Sequence, residues 1–311
     1  MTKVLVTGAT GFVGACVTRR LVEAGYDVHL FTRKASDRWR LTDLLGRVRE
    51  HDVELRDRSS VEKAVRAISP RIICHLATYG GFASQQESTA IYEVNFLGTV
   101  NLLRACEQTG FDLFINTGSS SEYGIKSQPM RENDLLEPIG DYGVSKAAAA
   151  LFCSAEAREK ELPIVTLRLF SPYGPWDDPK RLIPYVIKSF LRGEAPSLST
   201  PSSVRDYIFI DDVVDGYLRL IANPPVRGEI FNIGSGQQYT IGDVVGSIAA
   251  LVNADAVPQW GAALSQRKEP ACWVADRSKA EQLLDWRPKT SLQAGMERTI
   301  TWFRSNLSLY A

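Results

Sequence analysis

Tyr142 and Lys146, in the run Tyr142-Gly143-Val144-Ser145-Lys146, are the first residues of this sequence whose types and spacing could do chemistry. Four positions apart on a helix, a phenol and an ammonium share one face. A neighbouring ammonium favours the phenolate, so Lys146 is expected to make Tyr142 acidic enough for proton transfer near neutral pH. Tyr-x3-Lys also arises by accident on surface helices, so the pair needs a second motif beside it.

Residues 3–14, Lys-Val-Leu-Val-Thr-Gly-Ala-Thr-Gly-Phe-Val-Gly, supply one. Val4-Leu5-Val6 reads as a strand buried on both faces. Gly8, Gly11 and Gly14 follow at intervals of three, and the apolar positions Val13, Val17, Leu21 and Val22 continue as a helix to Gly25. Such glycines allow a tight turn, close approach of a pyrophosphate and helix–strand contact, while the helix N-terminus attracts the phosphate charge. With a second strand beyond (Asp27 to Phe31), this predicts a dinucleotide site. Together with the acid–base pair it is the equipment of hydride transfer. The second strand ends in Thr32, Arg33 and Lys34, with no acid to hold a ribose 2′-hydroxyl. Arg33 can fork onto a 2′-phosphate, so NADP is expected and NAD is the alternative. The plain alternative for Arg33 and Lys34 is a solvated basic pair.

These residues need a scaffold. Candidate strands at 3–7, 27–32, 71–76, 112–117 and 163–169 alternate with helical patterns near 11–24, 59–68, 88–109 and 142–161. That alternation predicts an α/β protein with a doubly wound parallel Rossmann sheet. After Leu169 the texture changes, and 171–311 is read as a smaller α/β substrate region following a dinucleotide domain at 1–170. The stretch 205–212 is a candidate to return to the main sheet. The chain has 311 residues, 44% of them hydrophobic, enough for one large core or two unequal ones. Charges balance at 36 against 36, which gives no electrostatic case for nucleic acid or an acidic membrane. No apolar run approaches membrane-spanning length and no signal peptide precedes the first strand, so the expected location is cytoplasmic. Cys16, Cys74, Cys106, Cys153 and Cys272 lack CxxC spacing and read as small hydrophobes. His29, His51 and His75 have no ligand spacing, so no metal is expected.

In their order along the chain these pieces resemble the extended short-chain dehydrogenase/reductase family, whose members are nucleotide-sugar epimerases, dehydratases and ketoreductases. The landmarks span nearly the whole chain. They are Thr7-Gly8-x2-Gly11-x2-Gly14, His75-Leu76-Ala77, Asn95 to Thr99, Ser119 to Gly124, Tyr142-x3-Lys146, Arg168 to Pro175, Val204 to Asp212, Phe231 to Gly236, Arg267 to Pro270 and Leu284 to Pro288. The resemblance implies that Tyr142 is the general acid/base at C4 of a sugar and that Lys146 holds the nicotinamide ribose. Ser119 would bond the reacting oxygen, with Ser120 able to substitute. The cofactor would lie along Gly8, Thr10, Gly11, Phe12, Val13, Arg33, Leu55, Leu76 and Ala77. Asn95 would fix the surrounding backbone. Glu54 occupies the place of a usual aspartate facing adenine, with Asp57 as fallback. Arg205 and Arg267 would bind the substrate diphosphate, salt bridges to Asp206 or Glu269 being the structural alternative. Ser171 departs from a common asparagine, which leaves that contact open. The helices at 88–109 and 142–161 would pair in a homodimer.

Members differ in what surrounds the C4 chemistry. A 4,6-dehydratase needs an acid/base pair just after Ser119; here Ser120 and Ser121 stand there, and Glu122 comes one place later. A serine cannot abstract a C5 proton efficiently, so dehydration is disfavoured. The stretch Ser119 to Gly124 resembles GDP-6-deoxy-4-keto-mannose reductases, and with Arg33 it favours NADPH-dependent reduction of an NDP-4-keto-6-deoxyhexose. A 4-epimerase holding NAD is the alternative, and a non-catalytic NADP sensor a remote one.

Overall fold

The computed structural model describes residues 1–82, 84–224, 227–262 and 270–310. The chain begins with β1 (Lys3–Thr7), α1 (Phe12–Glu23), β2 (Asp27–Thr32), β3 (Arg49–Asp52), α2 (Arg58–Ile68) and β4 (Ile72–His75). It continues with α3 (Ser88–Tyr92), a π-helical turn (Glu93–Leu97), α4 (Gly98–Thr109), β5 (Leu113–Ser119), α5 (Gly140–Glu159) and β6 (Ile164–Leu169). Beyond these lie β7 (Ser171–Tyr173), α6 (Leu182–Leu191), β8 (Ser197–Leu198), β9 (Val204–Arg205), β10 (Tyr207–Phe209), α7 (Ile210–Ala222) and β11 (Ile230–Ile233). The chain closes with β12 (Tyr239–Thr240), α8 (Ile241–Val252), β13 (Gln259–Trp260), α9 (Ser278–Leu284) and α10 (Leu292–Asn306).

Seven strands form one parallel sheet in the order β11-β6-β5-β4-β1-β2-β3. Strand order reverses between β1 and β4, which opens a crevice at the strands' carboxyl ends. Alternation along β1 divides two cores. Val4 and Val6 face one containing Ala15, Val17 and Leu21 of α1 and Val213, Tyr217 and Leu220 of α7. Leu5 faces the other, with Val61 and Val65 of α2, Leu102 and Cys106 of α4 and Cys153 of α5. The sheet is thus covered on both faces, as a parallel sheet requires. Among the described residues, no helix is long and apolar enough to cross a membrane.

Two expectations change. Tyr207–Phe209 does not join the main sheet: it pairs with Ser171–Tyr173 in a two-stranded sheet, and α7 starts directly after it. The strand that does return is β11, beside β6. A boundary at 170 therefore divides the sequence but not the sheet. The C-terminal landmark docks on the same seam: Trp286 is fully buried and its indole N–H donates to Asp212 O at 3.0 Å.

Candidate active site

Gly8 follows β1, Arg33 follows β2, Leu76 follows β4 and Ser119 ends β5, so all four stand at carboxyl ends around the crevice. Gly8 adopts φ +70, and a Cβ there would lie 2.6 Å from the Leu76–Ala77 backbone. A Cβ on Gly14 would lie 2.2 Å from Gly8 O, and Gly11 N donates to Gly8 O at 3.0 Å. Gly11 caps α1 without any side-chain bond to its amides. A tight loop opening a helix whose first N–H groups lack a side-chain cap fits a pyrophosphate. Thr10, Phe12 and Val13 are partly exposed along this loop. Arg33 is exposed, with Nη1 3.9 Å from Glu54 Oε2; Glu54 also pairs with Arg56 at 3.2 Å. Asp57 caps α2 by accepting from Ser60 N at 3.2 Å, which gives it a local structural task. Leu55 is buried against Gly98.

Tyr142 and Lys146 stand one turn apart near the start of α5. The expected acidification by Lys146 is corrected here. Burial raises the phenol above its ordinary value, and the groups that oppose it are Ser119, Arg181 and Thr78. Lys146 is itself buried, which pulls its ammonium down against the pull of Glu122. Desolvation outweighs the charge effect that spacing alone suggested.

Asn95, buried in the π-helical turn, braces this site. Its Nδ2 donates to Tyr79 O (2.8 Å) and Ser145 Oγ (2.9 Å), and its Oδ1 accepts from Tyr79 N (2.8 Å) and Thr78 Oγ1 (3.2 Å). Ser145 Oγ in turn donates to Tyr142 O at 2.9 Å. A directed chain runs alongside. Thr99 Oγ1 donates to Asn95 O (2.7 Å), so it must accept from His75 Nε2 (2.9 Å). His75 Nδ1 then accepts from Thr7 Oγ1 (2.7 Å), which accepts from Ala77 N (3.2 Å). This wiring needs neutral His75, and burial pulls its pKa down to about 3. A depressed histidine contributes stability that is complete above about pH 6.5 and lost as pH falls toward 3. Denaturant titrations below pH 6.5 are expected to show a loss of about 1.4 kcal/mol per pH unit from this residue. His75→Asn should have a shallower slope; an identical slope would refute the assignment.

On the substrate side, Ser120 is buried and accepts from Trp273 Nε1 at 3.2 Å. The Arg205 guanidinium lies over the Trp273 ring at 5.6 Å, and its Nη1 donates to Val204 O at 2.6 Å. Trp273 thus links Arg205 to the Ser120 turn. Asp206, offered as a salt-bridge partner for Arg205, is instead enclosed by the N–H groups of Ser235, Gly236 and Ala275 at 2.7–3.0 Å. Arg267 and Glu269 lie outside the described residues. Glu122 sits in a short 3₁₀ turn (Ser120–Glu122), fully buried against Arg168.

The sequence profile of the NAD dependent epimerase/dehydratase family matches residues 4–234. The chain belongs to that family. It is 29% identical to the UDP-glucose 4-epimerase of Mycoplasma pneumoniae, over 97% of this chain and 96% of that one. It is 28% identical to the UDP-glucuronate 4-epimerase of Thermodesulfobacterium geofontis, over 98% and 97%. The UDP-glucose 4-epimerase of Thermotoga maritima, solved with UDP-glucose, superposes with a TM-score of 0.91 at 27% identity, covering 98% of this chain and all of that one.

Within this epimerase/dehydratase frame, several polar residues that serve the site had no motif to announce them. Thr78 follows the Leu76-Ala77 pair and Ser145 lies inside Tyr-x3-Lys, so proximity in sequence was their only signal. Arg40 had none: buried after β2, it donates to Thr10 O (3.3 Å) and to Trp176 O (2.7 Å), joining the glycine loop to the segment after β7.

Proposed function

We propose that this enzyme acts at C4 of a nucleotide-diphosphate hexose and epimerises it with NAD. The observation that carries this is the placing of Tyr142 and Lys146 one turn apart on α5, with Ser119 at the carboxyl end of β5, the uncapped glycine loop after β1, and Glu122 buried against Arg168. Tyr142 would take the C4 hydroxyl proton and later return it; Ser119 would hold that oxygen, and Arg205 with Arg267 would neutralise the diphosphate. NAD, when bound along Gly8–Val13, Leu76 and Ala77, supplies the hydride acceptor. Burial of Glu122 against Arg168 leaves no free carboxylate in the 119–122 turn for C5 chemistry, which argues against dehydration.

The relatives named as 4-epimerases support epimerisation, which the sequence placed second to reduction; others are named as dTDP-glucose 4,6-dehydratases. An NADP-dependent 4-keto-6-deoxyhexose reductase stays as a second reading because Arg33, exposed at the end of β2, is followed in sequence by Lys34 and not by an acid, although Glu54 lies 3.9 Å from it. Incubation with UDP-glucose or UDP-glucuronate and catalytic NAD is expected to give the C4 epimer without net NADH. No epimer with either, together with NADPH oxidation by an NDP-4-keto-6-deoxyhexose, would replace this reading with the reductase. Leu97, Val144 and Leu151, exposed on or beside α4 and α5, support the homodimer expected of these helices.

A further inference from the structure

Trp176, just beyond β7, adopts φ +70, a left-handed backbone that a bulky side chain rarely tolerates. Such a residue persists only where its surroundings over-determine it. The Arg19 guanidinium lies over its ring at 4.2 Å, and the rings of Trp302 and Trp39 stand 4.9 and 5.8 Å away. The next carbonyl, Asp177 O, accepts from the Tyr310 hydroxyl at 3.0 Å. Trp176 is a fixed point, pinned from α1, from α10 and from the turn after β2.

Arg40 reaches that point from the short turn Trp39–Leu41 after β2. It is 7% exposed, its Nε donates to Trp176 O at 2.7 Å, and its guanidinium lies over the Trp39 ring at 4.3 Å. Asp178 Oδ2 lies 3.7 Å from Nη2 and answers the charge. The remaining arm, Nη1, donates to Thr10 O at 3.3 Å. Thr10 O and Gly11 N belong to one planar peptide, and Gly11 N closes the glycine turn on Gly8 O at 3.0 Å. One guanidinium therefore ties the peptide that opens α1 to the Trp176 turn. Its rigid planar fork sets the separation of the two carbonyls, which a flexible ammonium could not impose.

The other end of that segment leads toward Tyr142. Arg181 Nε lies 3.8 Å from Asp177 Oδ1, and its guanidinium lies over the Phe82 ring at 5.3 Å. Phe82 follows Gly81, whose Cβ position is 4.0 Å from Tyr142 Cε2. Residues 176–181 thus connect the glycine loop to the loop beside the tyrosine.

We propose that Arg40 is a positioning residue for the dinucleotide, anchoring the glycine loop to the Trp176 turn so that the first amides of α1 stay aimed at the pyrophosphate. This rests on the glycine loop being the dinucleotide site. The full chain is titrated calorimetrically with NAD and with NADP, and the tighter of the two is the probe for the variants. Arg40→Met is expected to weaken its binding at least about tenfold. Arg40→Lys keeps the charge but reaches one carbonyl at most, so its affinity should fall between the other two. Each titration is run at a temperature where circular dichroism shows the variant fully folded. A role confined to stability would lower the melt and leave the dissociation constant where it was. Wild-type affinity in folded Arg40→Met, or in Arg40→Lys where only that variant folds, overturns the proposal and leaves the dinucleotide reading standing. If the wild type binds neither dinucleotide, the reading of the loop fails and the proposal with it.

Discussion

Tyr142→Phe is expected to leave the protein folded and to lower kcat by about 10²–10⁴-fold. The phenylalanine ring keeps the space on α5 while removing the hydroxyl proposed to exchange a proton with the C4 hydroxyl. On the proposed function the substrate would be held mainly through its diphosphate, so KM should move much less than kcat, the signature of an interaction made in the transition state. Turnover of UDP-glucose with NAD, read beside a thermal melt, checks both halves. Unchanged turnover in a folded variant would remove the acid–base role of Tyr142.

The second large effect is expected from Gly14→Ala. The added methyl would meet Gly8 O at 2.2 Å, Gly8 C at 2.8 Å and Ala9 Cα at 3.0 Å, all main-chain atoms with no rotamer to escape into. Either α1 or the Gly8–Gly11 turn has to shift, at a cost of about 1–3 kcal/mol. Any displacement falls on the amides proposed to face a pyrophosphate, so NAD affinity should drop at least about tenfold, equivalent to roughly 1.4 kcal/mol. Gly46→Ala is the control: nothing lies within 4 Å of its Cβ position, and its effect should stay within about 0.5 kcal/mol. Calorimetric titration with NAD and denaturant unfolding separate the two quantities. Equal affinity in Gly14→Ala and wild type would show that the loop does not hold the dinucleotide.

The strands that were legible in sequence are those with dense β-branched and apolar runs, such as Lys3–Thr7 and Ile164–Leu169. β3 was not, because Arg-Glu-His-Asp at a sheet edge carries neither alternation nor an apolar run. β11 was recognised as a landmark, but nothing local says that residues 230–233 pair with 166–169, across some sixty intervening positions. In the site, Tyr142 and the glycines announced themselves by spacing, and Ser119 only through the family resemblance. The sign of the Tyr142 shift did not, because an i, i+4 ammonium is visible in sequence whereas the depth of burial is not. Arg168 became a partner of Glu122 only through β5–β6 pairing, which sets Gly118 beside Arg168. Arg40 depended on a long-range backbone contact for which no spacing rule exists.

The position of β11 bears on how the polypeptide comes off the ribosome. Until about residue 233 has emerged, β6 has no neighbour on its outer side, and Ile164–Leu169 is buried along its whole length in the finished protein. A nascent chain halted near 170 would present an apolar strand with open backbone donors and acceptors, the kind of margin that recruits chaperones or other chains. Vectorial synthesis therefore cannot complete the first half in isolation, and a fragment ending at 170 should aggregate rather than accumulate as a soluble module.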